Sequence, residues 1–297
     1  MSRALVLSGG GSVGIAWQSG LVGGLAEAGV DLRTMDRVLG TSAGSAVGAQ
    51  IKLGRDLADQ VARYRAGPSP RGASSGRTPG PSAGASTAER MGKLMEVMAA
   101  SPDASPDERR KLIGRYALEA DTGPEDRFVG GFSYLKGEAW PAGYACTAVD
   151  AATGEFTVWE GQEGVELDRA VASSCAVPGL FPPITINGRR YMDGGMRSAT
   201  NADLVKGCDR VLMITLMAAT RAGVNPEWAE RLSRARDQEL EAIRAAGGEI
   251  TTVAPDQEAA SVLGVNLMDG SRLLEAAEEG IRQGKAEAGR LGDFLSG

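Results

Sequence analysis

Residues Asp36 to Gly48 constrain this chain more than any other stretch. Arg37-Val38-Leu39 is a short apolar run of the length of a buried strand, and Ser45 to Leu53, rich in Ala, Val and Gln, reads as a helix. Between them stands Gly40-Thr41-Ser42-Ala43-Gly44. A Gly-x-Ser-x-Gly sequence joining a strand to a helix has the context of a nucleophile elbow. The reason is steric. The serine must occupy a very sharp turn so that its hydroxyl projects into a cleft, and glycines two positions to either side let strand and helix approach closely enough to make it. The helix that follows also directs its free N–H groups and the positive end of its dipole at the serine, where an oxyanion would form. The competing reading is a strand–helix turn with no ligand, which many α/β proteins carry.

A second glycine turn precedes the first. Ala4 to Leu7 reads as a strand, Ser8-Gly9-Gly10-Gly11-Ser12-Val13-Gly14 as a turn, and Ile15 to Ala28 as a helix closed by Gly29. The turn fits Gly-x-Gly-x-x-Gly, so a dinucleotide fingerprint is one reading. That fingerprint wants an acidic residue at the end of the second strand, whereas here the second strand ends in Leu39-Gly40. The other reading takes both turns together: consecutive glycines expose N–H groups as a nest for negative charge, which beside Ser42 would be an oxyanion hole. A tight turn without a ligand is equally compatible with the loop alone.

Composition excludes several classes. A chain of 297 residues, 42% hydrophobic and 24% charged, has ample core for one α/β domain. Its net charge of −6 and pI near 5.0 argue against a nucleic-acid binder, which would show a basic face. Met1-Ser2 leads straight into the strand-like Arg3 to Leu7 without the pattern of a secretory leader, and Val211 to Ala219 is too short for a membrane span. A cytoplasmic location is the expectation. Cys146, Cys175 and Cys208 are odd in number and not in metal spacing, which predicts reduced, mostly buried thiols. The chain has no histidine. A Ser-His-Asp triad is therefore impossible, as is a His-rich zinc site, and any base for Ser42 must be a carboxylate, a lysine or another unusual group. Neither a metal nor a cofactor is expected.

Further along, a helix is expected from Arg55 to Arg65. Gly67 to Thr87 carries Pro68, Pro70, Pro79 and Pro81 among Gly, Ser and Ala and reads as a flexible insertion. Met91, Leu94, Met95 and Met98 stand at helical spacing, a stripe that is more often core than an adaptable lid. Ser105-Pro106-Asp107 opens another helix, to about Ala120. Tyr144 to Asp150 and Glu155 to Glu160 read as a hairpin, Leu167 to Ser174 as a helix, and Ile184 to Ile186 with Arg189 to Met192 as a second hairpin about Asn187-Gly188. Arg210 to Leu216 and Glu249 to Val253 read as strands, and Pro226 to Ala246 and Ser271 to Ala288 as helices, the first packing through Trp228, Leu232, Leu240 and Ile243.

Asp193, followed by Gly194 and Gly195, ends one of these strands. It is a candidate base, held where backbone approaches closely and its carboxylate faces a cleft. The commoner fate of an Asp-Gly pair is a turn with a solvated side chain. The absence of histidine is what favours the first reading.

Three motifs now stand in order: Gly9-Gly10-Gly11-Ser12-Val13-Gly14, Gly40-Thr41-Ser42-Ala43-Gly44 and Asp193-Gly194-Gly195. Together they resemble the patatin-like phospholipase family, including its bacterial members, and Ala172 to Pro183 looks like that family's stretch before its aspartate. The resemblance covers about residues 3 to 255. It implies an α/β fold, a three-layer sandwich with a central, largely parallel sheet. Residues 1–297 would form a single domain with the insertion at about 67–88 and a helical cap at about 89–120. It also implies a serine acyl hydrolase of phospholipase A or lysophospholipase type. In it Ser42 is the nucleophile, Asp193 the base, and Gly9, Gly10 and Gly11 the oxyanion donors. Gly40 and Gly44 form the elbow, and Gly194 and Gly195 complete the aspartate motif. Burial in a cleft would raise the pKa of such an aspartate and make it a stronger base.

The partner implied is a lipid or other acyl ester, with peripheral membrane contact and oligomeric state left open and no nucleic acid. The alternatives are an acyltransferase using the same dyad and a nucleotide-binding protein using the Gly9 to Gly14 loop. One position departs from the family, which often has Lys or Arg where Val13 stands. The departure bears on an anionic head group more than on ester cleavage.

Overall fold

The computed structural model describes residues 1–67, 86–100, 103–216 and 226–297. In chain order the elements begin with β1 (Arg3–Leu7), α1 (Gly11–Glu27), β2 (Arg37–Gly40), α2 (Ala43–Lys52) and α3 (Ala58–Ala66). Then come α4 (Thr87–Ala99), α5 (Pro106–Glu119), α6 (Glu125–Gly130), β3 (Tyr144–Asp150), β4 (Phe156–Trp159) and α7 (Leu167–Ser174). The chain continues through β5 (Ile184–Ile186), β6 (Arg189–Asp193), β7 (Arg210–Ile214), α8 (Pro226–Ala245), β8 (Glu249–Val253), α9 (Gln257–Leu263) and α10 (Leu273–Ser296). It is a mixed α/β protein with a central, largely parallel sheet flanked by helices, as the sequence predicts. The described residues divide into two compact units, one within Met1–Gly72, Pro141–Tyr144 and Thr200–Gly297, the other within Ala73–Trp140 and Ala145–Ala199.

The first unit is built on parallel strands. β1 lies between β2 and β7, and β8 adds outside β7, all parallel. Strands buried on both faces read as continuous apolar runs, and Ala4 to Leu7 and Val211 to Ile214 are fully buried. α1 is buried from Val13 to Leu25, on every face, so it has no polar stripe. It packs on α10 through two pairs of glycines. A Cβ on Gly20, Gly24, Gly280 or Gly284 would overlap the backbone of the facing helix. α1 ends in a Schellman motif, with Val30 N–H on the Leu25 carbonyl at 2.9 Å and Gly29 N–H on the Ala26 carbonyl at 3.0 Å. Gly29 has φ +91°, which explains the glycine expected there.

The second unit contains antiparallel pairs. β3 pairs β4 and β6, and β5 pairs β6 across Asn187-Gly188. Both turn residues have positive φ, 49° and 77°, as a two-residue hairpin of this kind requires. α4 and α5 each open with a capping box, from Ser86 and Glu89 and from Ser105 and Glu108. Of the methionine stripe, Leu94 and Met98 are buried while Met95 is exposed, so α4 contributes a narrow core face.

Several boundaries differ from the expectation for local reasons. α1 starts at Gly11 rather than Ile15, because Gly14 N–H already bonds the Gly10 carbonyl at 2.8 Å. β7 stops at Ile214, since Leu216 N–H turns to the Ser8 hydroxyl at 3.1 Å. α10 runs on to Ser296 because its buried stripe continues through Ala288 and Leu291. α6 and α9 were not expected; α9 is capped by the Asp256 side chain on Ala259 N–H at 2.9 Å. Ile243 is fully buried and Leu240 half-buried, as expected for α8, while the Trp228 and Leu232 side chains lie outside the described residues. Pro68, Pro70, Pro79 and Pro81 of the expected insertion lie outside them too. Cys146, Cys175 and Cys208 are thiols not joined in a disulfide, the first two buried. No helix among the described residues is long and apolar enough to cross a membrane.

Candidate active site

The turn that carries Ser42 follows from the glycines around it. Ser42 stands between β2 and α2 with φ 53° and ψ −122°, one of three non-glycine residues with positive φ among those described. That conformation is costly for a side-chain-bearing residue and persists where its surroundings impose it. Here they do. A Cβ on Gly40 would come within 2.5 Å of the Gly44 carbonyl oxygen, and one on Gly44 would overlap the Leu7 carbonyl. Gly44 N–H lies on both the Thr41 carbonyl at 3.0 Å and the Ser8 carbonyl at 3.1 Å. The start of α2 is thereby fixed to both strands at once. Ser45 N–H and its hydroxyl both bond the Ser42 carbonyl, at 2.8 and 2.6 Å. Ser42 is 8% exposed.

The glycine turn lies alongside. β1 and β2 are parallel with Leu7 opposite Gly40, so Ser8 to Gly14 and Thr41 to Gly44 leave the sheet at the same carboxyl edge. In open α/β sheets that edge is where ligands bind. The N–H groups of the turn divide into two sets. Ser8 N–H bonds the Ile214 carbonyl, Val13 N–H the Leu267 carbonyl and Gly14 N–H the Gly10 carbonyl. Those of Gly9, Gly10 and Gly11 have no partner among the described residues, and all three glycines are partly open to solvent. Gly11, at φ +60°, opens α1 and turns the loop. The set fits a nest for negative charge.

Val13 is fully buried. A lysine or arginine in its place would carry its charge into the interior of the first unit, which costs free energy unless the charge is paired. The apolar residue agrees with its surroundings.

Asp193 belongs to the second unit. Its N–H bonds the Ala176 carbonyl at 3.0 Å, and its carboxylate accepts Gly195 N–H at 2.7 Å. It is 2% exposed, so the turn with a solvated side chain is not what forms here. A Cβ on Gly194 would come within 2.5 Å of the Thr147 carbonyl oxygen, so the glycine lets the end of β6 lie against β3. Ser42, Gly40, Gly44 and Gly9 to Gly11 thus share the first unit, and Asp193, Gly194 and Gly195 the second. An open cavity of about 660 Å³ in the second unit, lined by Trp140, Glu166, Arg169 and Ile186 among others, includes none of them.

Two residues escaped the sequence reading. Asn201 is fully buried at φ 49° and donates from its amide to the Thr41 hydroxyl at 3.0 Å. Glu239, 8% exposed on α8, accepts Thr200 Oγ1 at 2.5 Å and Ala202 N–H at 2.9 Å. It holds the residues on either side of Asn201, which in turn holds the residue before Ser42. The only local signal is that asparagine tolerates left-handed backbone; a helical glutamate reads as solvated. Among the described residues no His, Cys, Asp or Glu cluster is arranged to hold a metal ion.

Comparison with known proteins bears on the identity of this arrangement. NTE family protein Mb2594 of Mycobacterium bovis and NTE family protein Rv2565 of Mycobacterium tuberculosis are each 27% identical to this chain over 209 residues. The match takes in 69% of this chain and spans 28% of the length of those relatives. Among solved structures, that of VipD from Legionella pneumophila aligns with 97% of this chain and 67% of its own, at 14% identity and a TM-score of 0.45. The model of the family described as patatin-like phospholipase matches residues 5–206, a span that contains both glycine turns and Asp193, and the chain belongs to that family.

Proposed function

We propose that this protein is a serine acyl hydrolase that cleaves lipid carboxylic esters through an acyl-enzyme. The observation that carries the reading is the juxtaposition of Ser42, on its positive-φ turn, with the N–H groups of Gly9, Gly10 and Gly11, which have no partner among the described residues, at one sheet edge. Membership of the family and the absence of histidine support it further. In this reading Asp193 accepts the Ser42 proton as the hydroxyl oxygen attacks the ester carbonyl carbon. The carbonyl oxygen gains negative charge and is held by the glycine N–H groups, which are in place before the reaction begins. The alcohol leaves with the proton from Asp193. Water then attacks the acyl-enzyme, Asp193 takes its proton, and the free acid and Ser42 are released. An alcohol or amine acceptor in place of that water would make the same site an acyltransferase.

The test is hydrolysis of p-nitrophenyl acyl esters by wild type, Ser42→Ala and Asp193→Asn, with products resolved in the presence of added acceptors. Ser42→Ala keeps the Cβ and the backbone conformation, and Asp193→Asn keeps the shape of the carboxylate. Each should lose several orders of magnitude in kcat with its cooperative unfolding unchanged, since members of a dyad act as a unit. Turnover comparable to wild type in either variant would remove that residue from the mechanism.

A further inference from the structure

The segment between α9 and α10 stands outside the span matched by the family model, yet it touches the glycine turn directly. The Leu267 carbonyl accepts Val13 N–H at 3.0 Å and the Ser12 hydroxyl at 3.5 Å. The site that a Cβ on Gly11 would occupy is 2.6 Å from the Leu267 carbonyl oxygen and 2.7 Å from the Met268 sulfur. The thioether is therefore seated against one of the three glycines whose N–H groups have no partner among the described residues. The corresponding site at Gly10 is 3.1 Å from both methyls of the fully buried Leu216.

Sites for free anions are commonly flanked by cations or hydroxyls that complete the ligand's hydrogen bonds. Here the hydroxyls of the turn, Ser8 and Ser12, are directed to the Gly9 and Leu267 carbonyls at 2.9 and 3.5 Å, and the contacts made by Leu216 and Met268 are apolar. Arg272, the nearby cation of this segment, is engaged with Asp269 at 3.3 Å and with the Val262 carbonyl at 2.7 Å. An oxygen held by the glycine N–H groups with an apolar chain attached to its carbon satisfies both sides. Leu267 and Met268 are half-buried, so they retain surface for such a chain. Methionine, unbranched and polarisable, packs against chains of varied conformation.

On the acyl-hydrolase reading above, we propose that Leu267 and Met268 form the apolar wall of the acyl site beside Gly9 to Gly11, and that Met268 is a specificity-determining residue for acyl-chain length. Leu267 also holds the turn through its carbonyl; Met268 acts by its side chain alone.

The experiment is kcat/KM for p-nitrophenyl esters from acetate to laurate, in wild type, Ser42→Ala, Met268→Ala, Met268→Phe and Met268→Leu, with thermal unfolding of each. In Met268→Ala the ratio of long-chain to acetate kcat/KM should fall by about 10-fold or more, the scale on which an apolar pocket senses lost contact with a chain. Met268→Leu, close in volume, should hold the wild-type ratio. Met268→Phe keeps the wall apolar but changes its shape and should also move the ratio, which provides a second reading if the alanine variant unfolds. Ser42-dependent turnover with an unmoved ratio in a folded Met268→Ala or Met268→Phe would overturn the inference and leave the hydrolase reading standing. Absence of Ser42-dependent turnover across the whole series in wild type would overturn both.

Discussion

The Asn201 side-chain amide donates to the Thr41 hydroxyl at 3.0 Å, joining two fully buried residues far apart in sequence, one of them adjacent to Ser42. Asn201 stands at φ 49°, and Glu239 fixes its neighbours Thr200 and Ala202. The strained turn at Ser42 is thus supported from below by a polar chain that begins on α8.

Removing that support should be measurable in two steps. Asn201→Gly keeps the left-handed backbone and deletes the hydrogen bond, at a cost of about 1 kcal/mol. Asn201→Ala deletes the same bond and adds about 1–2 kcal/mol of backbone strain. Urea denaturation should rank wild type above the glycine variant and the glycine variant above the alanine variant. Equal stability of the two variants would show that the left-handed conformation carries no cost here.

The glycines of the elbow should respond very differently from a glycine that only supplies positive φ. Gly44→Ala would drive a Cβ into the Leu7 carbonyl, between two parallel strands that cannot separate without losing their ladder. Gly29→Ala meets nothing within 4 Å and bears only the left-handed penalty of about 1 kcal/mol. The first variant should fail to give cooperatively folded protein, while the second should melt a few degrees below wild type. Circular dichroism melts decide it.

Both glycine turns were legible in the sequence because each lies between an apolar run and a helix, and backbone overlap leaves few substitutes for Gly40 and Gly44. The hairpin at Asn187-Gly188 was legible for the same reason: its turn type admits few residues. Other features left no local trace. α1 is buried on every face, so its apolar pattern has no period, and its packing against α10 shows only as Gly20-x-x-x-Gly24 and Gly280-x-x-x-Gly284. Asn201, Glu239 and Met268 act through contacts with residues distant in sequence, and nothing beside them in the chain announces those contacts. What a sequence shows best is the backbone geometry that few residues tolerate; long-range polar support is invisible to it.

Glu125 should make the stability of the chain sensitive to acid. Burial works to raise the pKa of this carboxyl, but hydrogen bonds from Thr185 N–H and hydroxyl, together with Arg169, outweigh it and hold the group below its ordinary range. A depressed folded-state pKa contributes stability that is fully present above the unfolded value, about 4.3, and is lost as pH falls through the folded value. Glu125→Gln should therefore be less stable than wild type near neutrality, with the difference shrinking below about pH 4. A difference independent of pH would assign the effect to packing rather than to charge.

The same substitution should have opposite signs at two positions of α10. Gly280 faces α1, where a Cβ would overlap the Trp17 carbonyl, so Gly280→Ala must push the two helices apart. Both are buried along this seam, and separation opens voids beside Trp17 and Leu21, which are fully buried. The cost should reach the range of about 2–5 kcal/mol typical of disrupted cores. Gly289 lies in the same helix on its exposed face, with nothing within 4 Å of the site a Cβ would take. There alanine only restricts the unfolded chain and favours the helix, for a gain of about 0.8–1.0 kcal/mol. Thermal melts of the two variants should bracket the wild type, Gly289→Ala above it and Gly280→Ala well below. A Gly280→Ala variant as stable as wild type would mean that the α1–α10 seam has room to spare, and the close approach of the two helices would lose its energetic basis.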